Sequence, residues 1–219
     1  MNSVSVPFVG TDLTALPSGA LYWKARGVLV VSDLHLGKSE RIARRGGTLL
    51  PPYETHETLD RLSRDIAATG AKTLICLGDS FDDLAAGEAL DDTHRDTISR
   101  LQAGRRWLWI EGNHDPGPLD LGGTHLAEVS LGPLTFRHIA LKEADPGEIS
   151  GHYHPKARVR AARRPCFMVD ARRMILPAYG CYTGGLDWTT PDLRGLFEAR
   201  AVAYLTGPRV LAVPVPSAA

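Results

Sequence analysis

The sequence predicts an α/β fold of two packed sheets with helices outside, and three observations predict it. Short apolar, β-branched-rich runs at 27–31, 73–77 and 107–110 each give way to polar, Gly-containing sequence, the pattern of buried strands that stop at loops. Between them, 54–68 and 91–103 carry apolar residues at helical spacing, with Leu59, Leu62 and Ile66 on one face of the first. After Pro116 the texture changes to closely spaced strand-like segments at 134–139, 157–160, 166–169, 174–176, 201–205 and 210–213, which reads as a mostly β half.

The first half therefore reads β-α-β-α-β. At 219 residues the chain has the size of one domain, and no linker or internal repeat divides it, so residues 1–219 are expected to form a single domain. Apolar residues make up 43% and charged residues 23%, which excludes a disordered or fibrous chain. The formal net charge is zero, so any attraction for a polyanion must be local. The N-terminal ten residues lack a basic start and a long apolar core, and no apolar run is long enough to span a bilayer. The expected setting is cytoplasmic, without a membrane. Cys76, Cys166 and Cys181 are widely spaced and odd in number, which argues for free buried thiols rather than a disulfide framework or a cysteine zinc site.

Four segments end strands or follow them: Ser32-Asp-Leu-His35, Gly78-Asp-Ser-Phe-Asp82, Gly112-Asn-His-Asp115 and Gly151-His-Tyr-His154. They hold almost every type of metal-binding residue except thiolate. In extended backbone, residues two apart point to the same side, so Asp33 with His35, and His152 with His154, can converge. Singly these signals are weak; their order is not. D-x-H, G-D-x-x-D, G-N-H-D, an isolated His and G-H-x-H, in that order, resemble the calcineurin-like metallophosphoesterases.

That resemblance covers 28–155 by motif and implies a four-layer α/β/β/α sandwich with two divalent metal ions at the strand ends. It implies Asp33, His35, Asp79 and His154 around one metal and Asp79, Asn113, His138 and His152 around the other, with Asp79 shared. His138 rests on its place between motifs rather than on a spacing rule, and His125 competes for that position. His114 resembles the family's catalytic acid, and Asp82 the carboxylate that orients its ring; Asp115 is assigned to structure. Two dications beside carboxylates lower the pKa of a shared water and stabilise charge building on phosphoryl oxygens. Imidazole and carboxylate ligands without thiolate fit Mn²⁺, Fe²⁺ or Zn²⁺ better than Mg²⁺; Mn²⁺ is the expected metal.

A narrower resemblance uses Asp33-Leu-His-Leu-Gly-Lys38, Gly151-His-Tyr-His-Pro155, Pro165-Cys-Phe167 and Leu176-Pro-Ala-Tyr-Gly-Cys-Tyr-Thr-Gly-Gly185. These are similar to the ligase-associated DNA-repair metallophosphoesterases, the PdeM family, which implies an endonuclease-like phosphodiesterase in the bacterial cytoplasm. Nucleic acid, and DNA-repair proteins such as a ligase, are the implied partners. Arg158, Arg160, Arg163 and Arg164 are the candidate contacts to a nucleic-acid backbone, against a reading as a solvated hairpin. Gly184 and Gly185 could bring backbone N–H groups to a phosphate, or simply form a tight turn. A phosphodiesterase for small nucleotides is the alternative enzyme, and a metal-free interaction scaffold the alternative of another class. Two clustered carboxylates without a cation would repel each other, which disfavours the scaffold.

Overall fold

The computed structural model describes residues 2–47, 50–117, 120–159 and 162–216. One of the arginines singled out above, Arg160, lies outside the described residues. The first sheet runs in chain order: β1 (Val4–Phe8), β2 (Thr11–Ala15), β3 (Leu21–Trp23), β4 (Val28–Val31), β5 (Thr73–Leu77), β6 (Arg106–Ile110) and β7 (Thr124–Leu126). The first three strands form an antiparallel meander onto β4, whereas β4 to β7 are parallel. Parallel neighbours need crossover connections. Here helices α1 (Lys38–Arg44) and α2 (Glu54–Thr69) cross from β4 to β5, and α3 (Leu84–Glu88) and α4 (Asp92–Gln102) from β5 to β6.

The second sheet contains β8 (Glu128–Leu131), β9 (Leu134–Arg137), β10 (Glu148–Ser150), β12 (Ala162–Val169), β13 (Arg173–Ile175), β14 (Val202–Leu205) and β15 (Leu211–Pro214), with β11 (Lys156–Val159) paired to the outer part of β12. Its spatial order is β15-β14-β12-β13-β10-β9-β8.

Strand alternation assigns the layers, because successive side chains leave a strand on opposite faces. Val28 and Val30 of β4, Ile75 and Leu77 of β5, and Leu108 and Ile110 of β6 meet Phe136, Ile149, Phe167 and Met174 of the second sheet in one inner core. The intervening residues Leu29, Val31, Leu74, Cys76, Trp107 and Trp109 pack outward under Leu59, Leu62 and Ile66 of α2 and Ile98 of α4. On the far side of the second sheet, Cys166, Met168 and Ile175 pack under Trp188, Leu193 and Phe197. That fourth layer is thin: its helix α5 (Pro191–Arg194) has four residues. The expected sandwich is thus present, with its outer helical layers unequal. Free thiols are found at Cys76, Cys166 and Cys181; the first two are buried and the third is half-buried.

This stacking positions the site. β4, β5 and β6 share one direction, so their C-terminal ends fall on one edge and are followed at once by Asp33, Asp79 and Asn113. β9 and β10 are parallel in the second sheet, and their ends lead to His138 and His152. The crevice outside the carboxyl ends of parallel strands is where α/β folds place ligands.

Candidate metal centre

Two groups of side chains meet at these strand ends. Asp33, His35 and His154 form one; Asp79, His138 and His152 form the other; within each, the potential ligand atoms lie within 4.8 Å of one another. Asn113 joins the second, its Oδ1 3.0 Å from His138 Nε2. All seven residues expected as ligands are therefore gathered in one place, with Asp79 grouped with His138 and His152. The competing His125 is elsewhere, on β7, stacked on Trp109.

The local backbone differs from the extended geometry expected of the D-x-H and H-x-H pairs. Asp33, His35, Asp79, His152 and His154 all have positive φ, between 44° and 68°. Among described non-glycine residues only Val9 and Tyr182 share that conformation. Asp and His are among the residue types that tolerate it, and such strain concentrates at functional sites because the surrounding structure imposes it. The consequence is visible in the histidine pair: His152 and His154 serve different groups rather than one.

Glycine is required where these loops touch. A Cβ on Gly112 would collide with the backbone and carboxylate of Asp79, and one on Gly185 would collide with the carbonyl of His154. The close approach at Gly185 favours the tight-turn reading of that segment; Gly184 has open space around it. Asp115 completes the support as a structural residue: its carboxylate accepts the N–H groups of Gly112, Ser80 and Phe81 at 3.0, 2.7 and 3.1 Å, tying the loop after β6 to the loop after β5.

Charge in the cluster is paired. Burial alone would raise the pKa of Asp79, but the hydrogen bond and charge of His138 hold it at about 2. Burial would likewise lower His138, yet Asp79 and Asp33 push it up to about 9. Asp33 is held below the usual carboxylate range against its burial, chiefly by His154. His152 is pushed down by burial and by the charge of His138. Carboxylates and imidazoles clustered in this way favour a cation among them, and metal binding at such a site is coupled to proton release.

The buried donors fit a metal better than a closed hydrogen-bond network. His35 Nδ1 lies 2.8 Å from Asp82 Oδ1, yet among the described residues neither of its buried ring nitrogens makes a hydrogen bond of good geometry. His154 Nε2 also lacks a hydrogen-bond partner and lies 3.1 Å from Asp33 Oδ1. Unsatisfied buried polar atoms are costly and call for an explanation; imidazole nitrogens facing carboxylates are explained as open ligand positions.

One expected role is corrected. The Asp82 carboxylate does not orient the ring of His114; it meets His35, Lys38 at 3.3 Å, and Arg41. His114 is oriented instead by the Asp82 backbone carbonyl, 3.1 Å from its Nδ1. The physical reason is the two cations of α1, which draw the carboxylate toward that helix while the main chain stays beside His114. Asp82 is held well below the ordinary carboxylate pKa: burial opposes this, and His35, Lys38 and Arg41 outweigh it. Lys38 and Arg41 are supporting residues that sequence reasoning left without a role, although Lys38 closes the Asp33–Lys38 motif. We expect Asp82→Ala to weaken metal binding by about 10–100-fold, the usual effect of losing a carboxylate behind a ligating histidine. Chelator-competition titration measures this. Unchanged affinity would show that Asp82 does not support His35 as a ligand.

The arginine cluster is also redistributed. Arg158 and Arg163 face each other across β11 and β12 and share Asp187 at 3.9 and 4.0 Å. Arg164 is not available as expected: its guanidinium donates to the carbonyl oxygens of Thr206 and Arg209, because the neighbouring turn leaves those acceptors beside it.

Residues 27–188 match the calcineurin-like phosphoesterase family, well over half of the chain, and the chain belongs to that family. It is a metal-dependent phosphoesterase. Among solved structures, the crystal structure of the nuclease MPE of Pseudomonas putida is similar to it over 96% of this chain and 100% of that one, at 31% sequence identity and a TM-score of 0.75. Yfce, a phosphoesterase from E. coli, is 13% identical over 86% of this chain and 99% of that one, with a TM-score of 0.40. No curated protein matches the chain. Among the described residues, no helix is long and apolar enough to cross a membrane.

Proposed function

We propose that this chain is a two-metal phosphodiesterase of endonuclease type that uses Mn²⁺, cuts DNA, and serves bacterial DNA repair in the cytoplasm. The observation that carries the reading is the pair of facing ligand groups, Asp33, His35 and His154 opposite Asp79, His138 and His152. The nuclease named as a structural neighbour supports nucleic acid as substrate. With metals bound, Asp79 would be the ligand that both share, and Asn113 would complete the second set. Two divalent cations, when bound, supply the positive charge and the activated water that phosphodiester hydrolysis needs.

The remaining tasks fall to the protein's own groups. Because Nδ1 of His114 faces the Asp82 carbonyl, its proton is committed there, and Nε2 is the nitrogen turned toward Asp79, 4.0 Å from its carboxylate. A proton on Nε2 is placed to reach the oxygen of a leaving alcohol. Asp82, through His35, fixes the first ligand group. The hairpin of β11 and β12 leaves the His152–His154 loop directly, so Arg158 and Arg163 can meet phosphates away from the one being cut.

The test is a substrate panel with added Mn²⁺: linear, nicked and flap DNA, cyclic dinucleotides and bis-p-nitrophenyl phosphate. Cleavage of cyclic dinucleotides with DNA left intact would overturn the reading in favour of a small-nucleotide phosphodiesterase. Within the DNA arm, Arg158→Ala/Arg163→Ala should flatten the log–log salt dependence of binding by roughly one to two units. Turnover of bis-p-nitrophenyl phosphate should not change.

A further inference from the structure

A cavity of about 480 Å³ opens beside the candidate metal centre, walled by Arg61, Lys156, Pro165, Pro177, Tyr182 and Thr183 among others. The 177–185 segment separates the two. Its Gly180 N–H donates to the carbonyl of Asp33 at 3.0 Å, and its Gly185 packs on the carbonyl of His154. The ligand-bearing loops and the cavity therefore share the 177–185 segment as a common wall, with Gly180 lining the cavity and bonded to Asp33.

We infer that this cavity is a nucleotide subsite, holding the nucleoside next to the phosphate being cut and the phosphate beyond it; this rests on the reading as a nucleic-acid phosphodiesterase. Charge supports it first. Lys156 and Arg61 both line the cavity, and no acidic residue does. Neither cation is neutralised by a carboxylate in an ion pair among the described residues. Lys156 donates to the carbonyl of Thr183 at 2.9 Å. Arg61 donates to Cys181 Sγ at 3.0 Å and lies 4.8 Å over the Tyr179 ring, and its buried Nε has no hydrogen-bond partner among the described residues. An anion is the ligand such a wall selects.

Shape and apolar lining select the rest. The volume lies within the roughly 300–1,000 Å³ of small-ligand sites, and the rings of Pro17, Pro165 and Pro177 give flat apolar walls. Tyr182 is 44% exposed and held at a φ of 58°, a conformation costly for a non-glycine residue. The residue lines the cavity, and an exposed aromatic ring there offers a surface on which any base can stack.

The experiment compares two substrates with one leaving group, each assayed with added Mn²⁺. Bis-p-nitrophenyl phosphate needs only the metal centre. Thymidine 3′-phosphate 5′-(p-nitrophenyl phosphate), and its isomer with the ester on the 3′-phosphate, add a nucleoside and a second phosphate. For the isomer the wild type prefers, Lys156→Ala should raise KM about tenfold, the loss of one charge-assisted hydrogen bond, and Tyr182→Ala by roughly five- to tenfold or more through lost stacking. Lys156→Arg and Tyr182→Phe should restore most of the affinity. Neither alanine change should alter kcat or KM for bis-p-nitrophenyl phosphate. Parallel changes on both kinds of substrate, or none on the nucleotide esters, would overturn the subsite. The wild type's action on DNA is a separate readout: intact DNA with the expected KM changes would retain the subsite and remove the polymer reading.

Discussion

Asp79→Ala should abolish turnover, by roughly 10³-fold or more, the scale of loss when charge stabilisation of a transition state is removed, and should strip bound metal from both groups. The expectation rests on the proposed shared role of Asp79 and on the contacts of its carboxylate. One oxygen accepts the His114 N–H at 2.9 Å and the other lies 3.4 Å from His138 Nε2. Removing the carboxylate leaves the His138 side of the cluster without its nearest counter-charge. Asp79→Asn separates charge from shape, because Asn accepts the same hydrogen bond and tolerates the 44° φ of this position. It should fold like the wild type and still lose metal. Elemental analysis on folded protein, checked by circular dichroism, is the measurement. Two metals per chain in both variants would remove Asp79 from the shared position.

Much of this site could be read from sequence because its residues sit at a place fixed by patterning alone. Apolar runs that stop abruptly at Ser32, Gly78 and Glu111 mark where the strands end, and the ligands follow within three residues. The order of motifs favoured His138 but left His125 as a competitor, since both lie between the last two motifs; only the structure shows His125 stacked on Trp109. What could not be read was orientation. Asp82 is three residues from Asp79, and the family resemblance paired it with His114; only the backbone path shows that its carbonyl faces His114 while its carboxylate turns to α1. Arg164 looked like its neighbours because its acceptors, the carbonyls of Thr206 and Arg209, are more than forty residues away. The N-terminal meander was hidden differently. Val4, Val6 and Phe8 alternate as a strand should, but Pro7 weakens the pattern; it is tolerated because β1 is the sheet edge.

His114→Ala should retain both metals and fold normally, since its half-exposed ring belongs to neither ligand group. Turnover of alkyl phosphodiesters should nevertheless fall by about 10²–10⁴, the range for losing a positioned general acid. The geometry makes a sharper claim than the magnitude. Nδ1 is tied to the Asp82 carbonyl and the ring stands edge-on to His35 with centroids 5.5 Å apart, so Nε2 is the atom left to face a departing oxygen. A poor leaving group such as an alkoxide needs that proton as the bond to phosphorus breaks; p-nitrophenolate hardly does. The variant's loss on bis-p-nitrophenyl phosphate should therefore be smaller than on an alkyl diester, and the slope of log kcat against leaving-group pKa should steepen relative to the wild type. His114→Gln tests the remaining possibility that the side chain only binds the phosphate: it can still donate a hydrogen bond but cannot act as a proton donor at neutral pH. If glutamine restores alkyl-diester turnover, or if both substrate classes lose rate equally in the alanine variant, His114 positions the phosphate and protonation of the leaving group must be assigned elsewhere.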